Sequence, residues 1–264
     1  VILAVPEASA AADADSRIFV AAPAGWPEFA FRHVTSTGST MDEARHWRAQ
    51  GHRSGCVVAD WQSAGRGRLP GREWQAGAGS SLLCTIWLPL AFFRGQPPSL
   101  LAGAALLTTL QPLLLEAAGL CIKWPNDLLH EERKLAGLLC EAAGDTLYCG
   151  IGLNLSQTDF PDTYRRQPTS LLLACGQAPE RGRVVADLLV TLDNYLGGRL
   201  DWHTALNRYL AWRGQLVDFI PGIGEEAAVV SGTLLEVAAD GAICITTADG
   251  VYAGYSGELH LHHS

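Results

Sequence analysis

Two largely apolar stretches, Cys56 to Asp60 and Leu82 to Leu88, flank a segment that no hydrophobic core can absorb. In that segment, Gln62 to Trp74, three arginines (Arg66, Arg68 and Arg72) alternate with Gly65, Gly67, Pro70 and Gly71. Short apolar runs bounded by turn residues read as buried strands, so the arginines must emerge at a strand end and stay at the surface. Guanidiniums this close repel one another, and glycine-rich backbone costs conformational entropy to order. An anion bound among them offsets both effects. The planar arginine fork matches a carboxylate or phosphate, and glycine N–H groups add a concave anion site. The expectation is a loop that is mobile when empty and ordered when occupied; the plainer reading is a solvated basic loop. The glycine spacing does not fit a dinucleotide fingerprint, and no Gly-Lys-Ser/Thr follows as in a P-loop.

The rest of the chain sets the frame for this loop. Its 264 residues suffice for a main domain and one small appended module. At 48% hydrophobic and 17% charged the composition is globular. A net charge of −8 argues against broad nucleic-acid binding, which needs a basic face, so no DNA partner is expected. Seven cysteines without C-x-x-C spacing read as reduced thiols in a cytoplasmic protein without structural zinc. The longest apolar stretch, Leu100 to Leu115, is interrupted by Thr108, Thr109, Gln111 and Pro112 and is short of a membrane span of about 20 residues. It reads as a buried helix bent at Pro112, with no membrane association. Residues 1–16 are alanine-rich, lack a basic start and read as a loose tail rather than a secretory signal.

Strands are expected at Arg17 to Ala21, Phe29 to Thr35, Cys121 to Trp124, Leu135 to Ala142 and Leu147 to Leu155, besides the two flanking the arginine loop. Thr40 opens a helix with the capping-box pattern Thr40-x-x-Glu43, and Gly51 ends it. Arg181 to Tyr195 and Trp202 to Trp212 have helical spacing. From about Gly214 the character changes to short alternating strands, with hairpin signals at Asp240-Gly241 and Asp249-Gly250.

Three further segments carry chemistry. Lys123-Trp124-Pro125-Asn126-Asp127 closes one strand, and Arg133-Lys134-Leu135-Ala136-Gly137 opens the next. Lysines here can surround a charged ligand from two sides, with Asn126 and Asp127 offering oxygens to a magnesium ion. Taken alone, Asn126-Asp127 also suits an ordinary turn. Ser36 to Thr40 clusters hydroxyls at a helix start, and capping explains only one of them. Gly150 to Asn154 ends a strand with small residues that admit a flat ligand, although a β-bulge uses glycine in the same way.

Together and in this order, these segments resemble the catalytic domain of the biotin protein ligases, from about Phe31 to Asn154 and more weakly to the C-terminus. The resemblance rests on Gly65 to Arg68 with Gly71, Arg72 and Trp74, then Lys123 to Leu128, Arg133 to Gly137, and Gly152-x-Asn154. It implies an α+β fold, a mixed β-sheet flanked by helices of the class II synthetase-like type. It places the catalytic domain at 17–213 and a small C-terminal SH3-like β-barrel at 214–264. It also implies ATP, biotin and Mg2+ as substrates or cofactors, with a biotin carboxyl carrier protein as acceptor and a monomeric or homodimeric enzyme. By position, Ser39, Thr40 and Gln62 would meet the ureido ring, with Gly65, Arg66, Gly67, Arg68 and Gly137 around biotin. Lys134 would meet its carboxylate. Arg68, Arg72, Trp74, Lys123, Asn126 and Asn154 would serve ATP, and Asn126 and Asp127 the metal. Arg66, Lys123, Asp127 and Lys134 would form the catalytic set.

Two departures from the family pattern stand out. Met41 follows Ser39-Thr40 where the family usually has Asn, and Leu69-Pro70 lengthens the arginine loop by one residue. Fewer than forty residues precede the match, too few for the operator-binding winged helix of bifunctional members, so repression is not expected. The nearest rival is a lipoate ligase or related acyl transferase. A biotin-responsive binding protein without catalysis is a third reading, less favoured because so many charges share the presumed pocket.

Overall fold

The computed structural model describes residues 20–114, 119–162, 164, 167–222 and 228–262. Seven strands form the main sheet: β1 (Phe29–Val34), β2 (Ser54–Ala59), β3 (Ser81–Pro89), β4 (Leu120–Lys123), β5 (Asp127–His130), β6 (Arg133–Ala143) and β7 (Thr146–Asn154). Their order is β1-β2-β3-β7-β6-β5-β4. Only β1 and β2 run parallel, so the sheet is mixed as expected.

Sequence pattern decides position within the sheet. Every residue of β2 is buried, and β3 is buried up to Leu88, because both faces are covered. On one face lies helix α1 (Thr40–Ala49), whose Met41 and Ala44 pack on Val57, Trp87 and Tyr148. On the other lie α2 (Pro98–Leu110), α4 (Arg181–Leu196) and α5 (Trp202–Arg208). Helix α2 is apolar nearly all round because it is sandwiched between the sheet and these two helices. A short helix α3 (Leu171–Cys175) lies between β7 and α4 in the chain and was not expected from the sequence.

Several expectations change. Val20 and Ala21 are not in a strand, and the remainder of the expected strand from Arg17 lies outside the described residues, as does the 1–16 tail. Helix α1 is capped by Ser39, whose Oγ accepts from Met41 N–H, rather than by Thr40. Glu43 does not close a capping box; its Oε1 accepts from Thr37 Oγ1 at 2.9 Å. Helix α2 stops at Leu110 and tightens into one 3-10 turn, Gln111–Leu113, because Pro112 has no N–H to continue the ladder. Helix α5 ends at Arg208, short of Trp212, because the chain then pairs with the edge of β4: Ile122 N–H donates to Tyr209 O at 2.8 Å and Ala211 N–H to Ile122 O at 2.9 Å.

The C-terminal part is a five-stranded antiparallel sheet, consistent with an SH3-like module. Its strands are β8 (Leu216–Pro221), β9 (Val230–Val237), β10 (Ile243–Thr247), β11 (Gly250–Gly254) and β12 (Gly257–Leu261), in the order β11-β10-β9-β8-β12. Both expected hairpin turns are present, between β9 and β10 at Asp240-Gly241 and between β10 and β11 at Asp249-Gly250. Val217, Phe219, Leu234 and Leu259 from this sheet share one continuous core with the main sheet. Trp124, 1% exposed, is the main rivet: its ring meets Phe219 edge-on and its Nε1 donates to Gly241 O at 3.0 Å. Among the described residues no helix is long and apolar enough to cross a membrane. All seven cysteines are free thiols, with Cys56, Cys84 and Cys149 buried and the other four partly exposed.

Candidate active site

The arginine segment leaves β2 and is first tied to the start of α1. Ser63 N–H donates to Thr37 O at 3.0 Å and Ala64 N–H to Gly38 O at 2.9 Å. It then folds into a hairpin, with Trp74 N–H on Gly65 O at 3.0 Å and Gly67 N–H on Arg72 O at 2.7 Å. Gly65 is buried at the base, where a Cβ would lie 2.5 Å from Trp74 O, so close backbone approach explains this glycine without any ligand. The three guanidiniums do not converge on one point. Arg66 forks onto Asp42 of α1 (Nη2–Oδ1 2.9 Å, Nη1–Oδ2 3.3 Å), Arg68 Nη2 donates to Gly257 O of β12 at 3.0 Å, and Arg72 Nη2 lies 3.8 Å from Glu258 Oε1. Protein acceptors on two different elements, Asp42 of α1 and Gly257 and Glu258 of β12, thus supply compensation that the sequence reading sought in an anion.

Beneath this hairpin runs an open cleft. Of the expected residues, Ser39, Thr40, Gln62, Arg66, Gly67, Arg68, Trp74, Asn126, Lys134 and Gly137 line it. At the start of α1, Gln62 Oε1 accepts from Thr40 N–H at 2.7 Å and from Thr40 Oγ1 at 3.0 Å, while Thr85 Oγ1 donates to Thr40 Oγ1 at 2.8 Å. The Thr40 hydroxyl is therefore spent within the protein. The Ser39 hydroxyl proton and the Gln62 amide nitrogen are the groups left for a ligand.

The floor comes from β6 and β7. Gly137 and Gly152 face each other across these strands, and the Trp74 ring lies on them: a Cβ on Gly152 would stand 2.4 Å from Trp74 Cε2. Trp74 Nε1 is buried without a hydrogen-bond partner, so the cleft holds an uncommitted donor. Lys134 Nζ stands 5.7 Å from the ring centroid on one side. On the other it is 2.7 Å from Asp127 Oδ1, an ion-pair distance whose angle misses hydrogen-bond geometry. The backbone of Lys134 is fixed by Thr169, whose N–H donates to Lys134 O at 2.9 Å.

The remaining expected residues do not line the cleft. Asp127 reaches it only through Lys134. Lys123, cross-strand neighbour of Asp127, places its ammonium 5.2 Å from the Trp212 ring. Asn154 is buried, donates to Thr169 O at 2.9 Å and accepts from Ser81, so it braces the segment that holds Lys134. Arg72 stays outside, on Glu258, and Gly65 sits at the base of the hairpin. Asn126 Nδ2 donates to Leu138 O at 2.8 Å, which leaves its Oδ1 free. Among the described residues no group of three or more His, Cys, Asp or Glu side chains could hold a metal ion; of the two residues expected to serve Mg2+, Asn126 lines the cleft and Asp127 pairs with Lys134.

Cys84, Leu138 and Leu139 also line the cleft and were left out by sequence reasoning, while Met41 and the segment Gly150, Ile151 and Gly152, noted there without a place in the site set, line it too. Most are strand residues whose facing is fixed by register across the sheet. Met41 lines the cleft but also belongs to the small core beneath α1, so its thioether is packed rather than dangling. The Cys84 thiol is pushed well above the ordinary range by its hydrogen bond with Cys56 and then by burial, which keeps it neutral.

Comparisons with known proteins give the fold and family in which this site sits. A family model described as the biotin/lipoate A/B protein ligase family matches residues 30–155. The biotin–[acetyl-CoA-carboxylase] ligase of Mycobacterium tuberculosis is 34% identical over 192 residues, which is 70% of this chain and 69% of that protein. The bifunctional ligase/repressor BirA of Bacillus subtilis is 30% identical over 220 residues, covering 78% of this chain and 65% of that protein. Among solved structures, biotin protein ligase from Aquifex aeolicus in complex with biotin and ATP superposes with a TM-score of 0.74 at 25% identity, covering 90% of this chain and 99% of that one. The chain belongs to the biotin protein ligase family.

Proposed function

We propose that this chain is an ATP-dependent ligase that converts biotin to biotinyl-5'-AMP and transfers the biotinyl group to a lysine of a biotin carboxyl carrier protein, that of acetyl-CoA carboxylase being the acceptor named for its relatives. The observation that carries the reading is that one cleft holds neutral hydrogen-bonding groups (Ser39, Gln62), an aromatic floor (Trp74) and a lysine (Lys134), under a hairpin with two further cations (Arg66, Arg68). A bicyclic urea with an acid-bearing tail needs donors for its carbonyl, an apolar surface for its ring and chain, and a cation for its carboxylate.

The first step brings together a carboxylate and the α-phosphate of ATP, which repel in water. Lys134, Arg66 and Arg68 lower that repulsion and hold the groups in line. A carboxylate oxygen attacks the α-phosphorus, the bond to the β-phosphate oxygen breaks, and pyrophosphate leaves. Asn126, whose Nδ2 is committed to Leu138 O, would offer its Oδ1 to an Mg2+ ion, which would screen the charge of the ATP phosphates. The hairpin shields the mixed anhydride from water. In the second step the carrier lysine attacks the acyl carbon as a neutral amine and AMP departs; this reading assigns the amine proton to Asp127, the carboxylate that reaches the cleft through its pair with Lys134.

Residues 17–213 are assigned to the ligase part and 214–264 to the SH3-like module, and the free thiols suit the reducing cytoplasm. Biotin-dependent exchange of labelled pyrophosphate into ATP, followed by transfer to a carrier domain, tests the reading. Exchange and transfer with biotin are expected; exchange driven by lipoate and not by biotin would replace the assignment with lipoate ligation.

A further inference from the structure

Besides the Trp74 ring on the cleft floor, the hairpin meets the main domain through Arg66, whose acidic partner has no role in the chemistry above. Asp42, in the first turn of α1, takes Arg66 in a two-pronged pair at 2.9 and 3.3 Å. It directly follows Ser39, Thr40 and Met41, which line the cleft. The pair thus spans from one wall of the cleft to its roof. Asp42 also receives Arg45 Nη1 at 3.1 Å. Arg45 has a second carboxylate in Glu141 and stacks over Tyr148, so it keeps its place if Asp42 loses its charge, whereas Arg66 loses its recorded acceptor.

We propose that Asp42 is a positioning residue: its carboxylate holds Arg66 across the cleft and so sets how tightly the hairpin closes over the activated intermediate. The inference rests on the ligase reading. Both partners are substantially exposed, 40% for Arg66 and 58% for Asp42, so the link is weak, salt-sensitive and able to open when the carrier lysine must enter. A buried pair would lock the lid; this one biases it.

The test compares wild type with Asp42→Asn, which keeps size and removes charge. Biotin-dependent pyrophosphate exchange is measured first, then AMP formation from MgATP and biotin without carrier, where adenylate that escapes the cleft hydrolyses to biotin and AMP. Asp42→Asn is expected to retain exchange and to leak AMP faster, by up to about fivefold at low ionic strength, the range of one exposed ion pair. Wild-type leakage should climb towards the variant's as salt is raised to about 0.5 M, while the variant's stays flat. Asp42→Glu should restore the slow leak. Asp187→Asn, which removes the same charge from the exposed Arg183–Asp187 pair on α4, should leak like wild type. Equal leakage in wild type and Asp42→Asn, a salt response that survives in the variant, or the same rise in Asp187→Asn overturns the role of Asp42. Absence of biotin-dependent exchange in the wild type overturns the ligase reading itself.

Discussion

Replacing Gly152 by alanine separates the lid from the scaffold. Gly152 sits in β7, bonded to β3 on one side and β6 on the other, so its backbone has no room to shift. The added methyl would lie 2.4 Å from Trp74 Cε2 and 2.6 Å from Cδ2. Comfortable carbon contacts are about 3.5–4.0 Å, so the indole must retreat by more than about 1 Å, taking the hairpin with it. Overpacking of a closed core costs about 1–3 kcal/mol. Here the yielding partner is a surface hairpin, so the low end applies, and melting should fall by only about 2–4 °C. Activity should suffer more, because the ring that flanks Lys134 is displaced: kcat/KM for biotin-dependent pyrophosphate exchange should drop about 10- to 100-fold. Gly150→Ala is the control, since its methyl meets Met41 Cε at 3.4 Å and Leu139 O at 3.5 Å, ordinary contact distances, and exchange should stay within about twofold. Wild-type exchange in Gly152→Ala, or equal damage from Gly150→Ala, would refute the placement of Trp74 on the cleft floor.

Three other outcomes are expected. Lys134→Ala should abolish exchange while far-UV circular dichroism stays native, because the side chain is 40% exposed and stacks on the lid rather than in the core. Trp124→Phe keeps the edge contact with Phe219 but leaves Gly241 O without its buried donor; denaturant unfolding should show a loss of about 1–3 kcal/mol. Asp60 is raised by burial, but hydrogen bonds from His33 and Arg181 outweigh this and hold its carboxyl below the usual range. A carboxyl with a depressed folded pKa stabilises above its unfolded value, near 4, and loses that contribution as pH falls through the folded one. Asp60→Asn should therefore lower the melting temperature at pH 7, and the difference from wild type should shrink as the solution is acidified below about pH 4.

The strands were legible because β2, β3 and β7 are apolar runs bounded by turns, and the second sheet because Asp240-Gly241 and Asp249-Gly250 punctuate it. Strand β5 was harder to read, since Asp127 looks like the second half of a turn and becomes a strand residue only when β4 and β6 pair with it. Helix α5 was overestimated for a similar reason: Tyr209 to Ala211 continue a helical spacing, yet the open edge of β4 draws them into extended pairing. In the site, residues whose type carries the chemistry were found from motif alone, as with Lys134 and Gln62. Those that matter by facing, such as Ile151 and Leu139, depend on sheet register, and Asp42 depends on where the hairpin lands.

The arginine segment shows how a sound physical premise leads to an incomplete structure. Like charges held on glycine-rich backbone do need compensation, and the sequence offers no nearby acid in the segment except Glu73. The missing information was three-dimensional: Asp42 precedes the segment by two elements, and Gly257 and Glu258 follow it by more than 180 residues. Because Arg68 and Arg72 lean on β12, the C-terminal sheet forms part of the lid's support and not a separate appendage. Trp124 ties the same sheet to the turn that carries Asn126 and Asp127. A shift of the C-terminal sheet therefore bears on the roof of the cleft through Arg68 and on the turn at Asn126 through Trp124.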